Sequence, residues 1–187
     1  MITKTQLKVK RIFDLVLVII VLPILLLPIL ILIIVATIDT NKYGVFSQFR
    51  VGQHGELFKI YKIRSLREEV HKLGHLDKSV TKFGEFLRRT KLNELPQSFV
   101  GPRPDLQGFA DKLEGEDRII LIVKPGVTGE ATLKYKNEER VLERQKDPKH
   151  YNRTIIWVDK VKINKKYVEN YSFYLDLTLI LKSTLYK

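Results

Sequence analysis

Between residues 15 and 38 the chain carries no charged side chain, and Thr37 is the only polar one. A helix needs about 20 apolar residues to cross a bilayer, and this run of 24 is long enough. Pro23 and Pro28 fall inside it, where each removes a backbone donor and favours a kink or a break. Basic residues flank both ends, with Lys4, Lys8, Lys10 and Arg11 before the run and Lys42 and Arg50 after it. Positive flanks stay on the cytoplasmic side. The pattern therefore predicts a helix–break–helix hairpin over residues 1–39 that enters one leaflet and returns, with Pro23 and Pro28 marking the break. A plain single-pass helix is the alternative. A cleaved signal peptide fits less well, because its apolar core would be about 7–15 residues long and followed by a small-residue cleavage site.

Past the apolar run, residues 43–51 and 55–64 are rich in β-branched and aromatic side chains and predict two short strands, with Gly52 to Gly55 as the turn. Residues 66–76 are charged and histidine-containing, a surface helix or loop. Phe83, Phe86, Leu87 and Leu92 recur at helical spacing. Thr81 is placed to cap that helix and Pro96 to end it, which predicts a helix over 81–95. A further helix is expected over 106–123, before Lys124-Pro125-Gly126. Residues 167–185 mix aromatic and aliphatic side chains with few charges and predict a helix able to lie along a membrane surface. No internal repeat or low-complexity linker interrupts residues 40–187, which read as one unit.

The 187 residues suffice for one domain with a core and an appendage. A net charge of +12 calls for an anionic partner such as lipid headgroups, nucleotide diphosphates or nucleic acid. No recognised nucleic-acid motif accompanies the charge, so nucleic acid is not expected as a partner. The chain has no cysteine, which rules out disulfides, thiolate metal sites and thiol nucleophiles. His54, His71, His75 and His150 lack the spacing of a zinc site.

The chemistry concentrates in residues 91–104, K-L-N-E-L-P-Q-S-F-V-G-P-R-P. Glu94 ends a basic, amphipathic helical stretch, and the rigid turn Gly101-Pro102-Arg103-Pro104 holds one guanidinium. Arginine grips phosphate through a bidentate fork. A carboxylate close by in sequence points to metal-assisted phosphoryl chemistry. Each residue also has an ordinary reading: a lysine or arginine in a basic chain is usually solvated, and Arg103 can equally bind a carboxylate or a backbone carbonyl.

The same stretch resembles the active-site segment of the bacterial sugar transferases, the small monotopic phosphoglycosyl transferases. Residues 46–65, F-S-Q-F-R-V-G-Q-H-G-E-L-F-K-I-Y-K-I-R-S, resemble the family's segment after its membrane hairpin. Lys10-Arg11-Ile12-Phe13-Asp14 resembles its K-R-x-x-D entry, and Lys124-Pro125-Gly126-Val127-Thr128-Gly129 its R-P-G-I-T-G turn. The resemblance covers nearly the whole chain. It implies transfer of a sugar-1-phosphate from a nucleotide-sugar, with a UDP-sugar expected, to polyprenyl (undecaprenyl) phosphate at the cytoplasmic face of the bacterial inner membrane, as the first membrane step of glycan assembly such as capsule or exopolysaccharide. It also implies a magnesium ion, and it leaves homo-oligomerisation open.

By position, Asn93 occupies the place of the family's nucleophilic aspartate, and Glu94 that of the glutamate that supports the magnesium. Arg50, Lys62, Arg88, Arg103 and Lys124 match phosphate- or substrate-binding positions. Two departures stand out. Asn93 has no anionic oxygen, so it is a poor nucleophile and a weaker magnesium ligand than aspartate. About nine residues that the family carries between L-P-Q and V-G-P-R-P are missing after Gln97. A catalytically impaired relative that binds lipid phosphate or nucleotide-sugar is thus the alternative function. The expected fold is α-rich α/β: a membrane hairpin over 1–39, then a domain over 40–187 with a short β-hairpin and several amphipathic helices.

Overall fold

The computed structural model describes residues 1–67, 80–90 and 99–185. Helix α1 runs from Lys4 to Thr40 as a single 37-residue helix with Pro23 and Pro28 inside it. At 1.5 Å per residue it is about 55 Å long, well beyond the roughly 30 Å of a bilayer core. The sequence expects a break near the prolines, and the structure instead keeps the helix continuous past both. Each proline deletes only one backbone donor, and the apolar turns around it carry the helical run through. Thr3 begins α1 with a capping box, its hydroxyl accepting from the Gln6 amide at 3.2 Å while the Thr3 amide donates to the Gln6 side chain at 2.8 Å. Asn41 ends it in a left-handed conformation, φ 53°. This is the one helix among the described residues long and apolar enough to cross a membrane.

The middle of α1 stands clear of the protein, with Ile19, Ile24 and Leu27 each more than half exposed. Both of its ends are docked. At the N-terminal end, the Ile2 amide donates to the Val168 carbonyl at 3.0 Å. Ile2 shares a core with Val100, Val123, Tyr167, Val168, Tyr171 and Leu179. At the C-terminal end, Ala36 is fully buried against Ile63 and Leu87. The Gly44 amide donates to the Thr37 hydroxyl at 2.9 Å, and a Cβ on Gly44 would lie 2.1 Å from the Ile33 carbonyl oxygen. Glycine is what allows the chain to turn so closely against the helix.

Strands β1 (Val45–Val51) and β2 (Leu57–Ile63) form the expected antiparallel hairpin, with Val45 opposite Ile63 and Val51 opposite Leu57. The turn contains His54 and Gly55 at positive φ. Helix α2 (Lys82–Thr90) starts where Thr81 predicts, the Thr81 hydroxyl accepting from the Gly84 amide at 2.8 Å. Its Leu87 is fully buried in the cluster with Ala36. The rest of the predicted 81–95 helix and most of the 66–76 stretch lie outside the described residues.

Residues 106–123 depart from the expected α-helix. They form short 3₁₀ turns at Ala110–Lys112 and Gly115–Ile122. Gly108 and Gly115 sit at φ 91° and 55°, a conformation that ends an α-helix. Three short helices follow: α3 (Glu130–Lys134), α4 (Glu138–Glu143) and α5 (Pro148–Tyr151). A π turn over Asn152–Ile156 leads from α5 into α6 (Trp157–Glu169). The predicted 167–185 helix is two elements. α6 ends at Glu169, and Ser172 caps α7 (Phe173–Leu185) by accepting from the Leu175 amide at 3.1 Å.

Candidate active site

The turn Gly101-Pro102-Arg103-Pro104 is held in place by the loop that resembles R-P-G-I-T-G. The Thr128 amide donates to Phe99 at 3.0 Å, the Gly101 amide to Thr128 at 2.9 Å, and the Gly126 amide to Pro102 at 2.9 Å. Glycine is required at this crossing. A Cβ on Gly126 would stand 2.2 Å from the Gly101 nitrogen, and one on Gly129 would stand 2.6 Å from the Gly101 oxygen. Both obstacles are backbone, which cannot swing aside. Gly126→Ala is therefore expected to cost about 2–3 kcal/mol or more, lowering the thermal midpoint of the detergent-solubilised protein by about 5–10 °C. An unchanged midpoint would mean that the two loops separate without penalty.

This crossing sets Arg103 and Lys124 on neighbouring strands of chain. The Lys124 carbonyl is packed against Gly101, and its side chain is exposed, free to reach an anion. At the turn end of the β-hairpin the Val51 amide donates to the Asp105 carbonyl at 2.9 Å. That bond brings β1, with Arg50, up to the residues after the turn. Arg50 and Arg103 both act electrostatically on the Asp105 carboxyl, as does Lys160 from α6. Arg50 and Lys62 lie on the same face of the hairpin, opposite Phe58 and Phe46 respectively. Their separation along the strands is about four residues, or roughly 13 Å. Lys62 and Arg88 are chain neighbours of Ile63 and Leu87, which pack together. Of the cationic positions read from the sequence, Arg50, Arg103 and Lys124 lie around the turn, while Lys62 lies toward the open end of the hairpin on the face opposite Ile63. Asn93 and Glu94 lie outside the described residues.

Asp105 and Lys160 were not singled out by the sequence. Asp105 follows the P-R-P turn directly, and only the folded structure shows that it sits among cations. The residue as a whole keeps some exposure, but its carboxyl is packed on nearly all sides. That burial raises it to about 6, against the lowering effects of Lys160, Arg50 and Arg103, while Glu138 adds to the rise. A carboxyl that binds its proton more tightly in the folded than in the unfolded chain makes stability fall as pH rises between about 4 and 6. Asp105→Asn is thus expected to raise the melting midpoint near neutral pH and to match the unmodified chain below about pH 4. A constant offset at all pH values would remove Asp105 as the titrating group.

Among the described residues no group of three histidine, cysteine, aspartate or glutamate side chains is placed to hold a metal ion. Asp105, ringed by cations and prone to protonation, is a poor magnesium ligand. Arginines from two elements and an exposed lysine come together around one turn, an arrangement with the charge to neutralise a phosphate.

The chain's similarities agree with this geometry. It is 32% identical over 183 residues to the uncharacterized sugar transferase EpsL of Bacillus subtilis (strain 168), covering 91% of this chain and 83% of that protein. A candidate undecaprenyl-phosphate N-acetylgalactosaminyl 1-phosphate transferase of the same strain is 34% identical over 155 residues, 73% of this chain and 83% of that protein. The UDP-glucose:undecaprenyl-phosphate glucose-1-phosphate transferase of Escherichia coli (strain K12) is 30% identical over 155 residues, 73% of this chain but 31% of that longer protein. The profile of the family described as bacterial sugar transferase matches residues 5–186. With its arginine-bearing Pro-Arg-Pro turn, its glycine-dependent loop crossing and a family match over residues 5–186, the chain belongs to the bacterial sugar transferases.

Proposed function

We propose that this chain transfers a sugar-1-phosphate from a UDP-sugar to undecaprenyl phosphate at the cytoplasmic face of the inner membrane. The observation that carries the reading is the docking of both ends of α1 onto one globular body, next to the cationic turn. A helix crossing the bilayer would carry its ends to opposite sides. One whose ends pack on the same body must bend between them, with Pro23 and Pro28 as the places to do so, and it then enters and leaves by the same face, so a lipid phosphate and a soluble nucleotide can meet over Arg103. Arg50, Arg103 and Lys124 bind the diphosphate, and Lys62 and Arg88 take the lipid phosphate. The exposed Tyr174, Leu181 and Leu185 of α7 rest on the interface. Glu94 is the residue of this chain assigned to magnesium, by its position in the family segment alone.

A second reading is favoured by one specific observation, Asn93 where the family has its nucleophilic aspartate, together with the shortened segment after Gln97. In it the chain binds lipid phosphate or nucleotide-sugar with little turnover by the covalent route. Release of UMP from a UDP-sugar, with undecaprenyl phosphate and magnesium present, separates the two. Robust release by the unmodified chain supports transfer, and UDP binding without release supports the impaired relative. Absence of both would overturn the anion-site assignment itself.

A further inference from the structure

Beneath the cationic turn lies a buried polar cluster that the transfer reading leaves unused. Lys10, Asp14 and Asp176 are each no more than 4% exposed. Lys10 Nζ meets Asp176 Oδ2 at 2.6 Å. The Tyr167 hydroxyl donates to Asp176 Oδ1 at 2.7 Å, and the Tyr171 hydroxyl to Asp176 Oδ2 at 3.3 Å. Lys10 also stands 5.9 Å from the centre of the Tyr171 ring. Burial, and then the Asp176 carboxylate, hold both tyrosines well above their ordinary range, so their hydroxyls remain donors. Asp14 lies one turn after Lys10 on the same face of α1, and its Oδ1 accepts from the Phe99 amide at 3.4 Å.

Phe99 is thus gripped on both sides: its amide by the membrane helix, its carbonyl by the Thr128 amide. Two residues later the phosphate-binding turn begins. We propose that Asp14 is a positioning residue, and that the base of the membrane helix sets the placement of Arg103 through it. The Lys10–Asp176 pair, tied to α6 and α7, fixes the helix face from which Asp14 reaches out. A phosphate grip displaced by about 1 Å loses much of its effect. In this arrangement a shift of the helix base within the membrane is transmitted directly to the anion site. The inference rests on Arg103 binding the nucleotide diphosphate, as proposed above.

The test uses UDP alone as the probe, since its binding does not require turnover, together with amide hydrogen exchange on the full-length protein in nanodiscs. Asp14→Ala is expected to weaken UDP binding about tenfold or more and to speed exchange at the Phe99 amide. Asp14→Asn retains an oxygen for that amide and is expected to restore both to within about threefold. Unchanged exchange and UDP affinity in Asp14→Ala, or an Asn variant as weak as the Ala variant, would overturn the proposal. If Asp14→Ala does not fold, Asp14→Glu keeps the charge but moves the carboxylate by one methylene. It should then lose UDP affinity, and wild-type binding by it would count against the positioning role. Failure of the unmodified chain to bind UDP sinks the function reading instead, and Phe99 exchange then still decides whether Asp14 holds the turn.

Discussion

Replacing Asp176 with leucine should be the most damaging single change in this protein. It takes the directly paired carboxylate from the buried Lys10, leaving only Asp14 one turn along the helix to balance the charge, and removes the acceptor of the Tyr167 and Tyr171 hydroxyls. Removing one member of a buried ion pair costs about 3–5 kcal/mol, which at this chain length corresponds to a drop of about 10 °C or more in the thermal midpoint. The damage comes from the orphaned charge more than from a lost attraction, because taking both ions out of water already costs most of what their pairing returns. Lys10→Met combined with Asp176→Leu should therefore recover part of the loss, stopping short of full recovery because the two tyrosine hydroxyls remain unpaired and the buried Asp14 loses its cationic neighbour. Thermal unfolding of the three variants in one detergent checks this. A single variant that melts within a few degrees of the unmodified protein would show that the pair is not structurally important.

Arg103→Ala carries the second large effect, on binding with little change in stability. A hydrogen bond to a charged group contributes about 1.5–3 kcal/mol, and a bidentate fork makes two of them. UDP affinity should fall at least tenfold and up to about a hundredfold, which titration calorimetry resolves. Arg103→Lys should recover only part of it, since an ammonium is a point charge and cannot form the fork. Arg103 is half-buried between two prolines in a turn held by backbone hydrogen bonds, so truncation leaves the scaffold standing. Equal UDP affinity in the Ala variant would move the diphosphate away from this turn.

The parts of the fold written in local chemistry were legible in the sequence. Thr81 capped α2 as its hydroxyl foretold, and the β-branched and aromatic residues on either side of Gly52 to Gly55 gave the hairpin. The long apolar run gave the helix α1, long and apolar enough to cross a membrane, although two prolines proved insufficient to split it. The expected 106–123 helix did not form because Gly108 and Gly115 carried the deciding backbone conformations. The separation of α6 from α7 was hidden because the aromatics on either side of Ser172 read as one apolar face. Glycine at 101, 126 and 129 was readable as a pattern, but the reason for it is a contact across the chain that no local window contains. The same holds for Asp105, Lys160 and the Lys10–Asp176 pair, the last of which joins residues 166 positions apart. Pairing over such distances depends on the finished fold.

One measurement reaches the centre of this account, since the chain has no native cysteine and a single introduced thiol reports its location cleanly. Thr5 and Lys149 are both exposed, one at the start of α1 and the other on the globular body. Thr5→Cys and Lys149→Cys should each resist a membrane-impermeant maleimide in intact cells and react once the membrane is opened. Labelling of Thr5→Cys from outside, with Lys149→Cys still protected, would mean that α1 crosses the bilayer and that the site and the helix base lie on opposite sides.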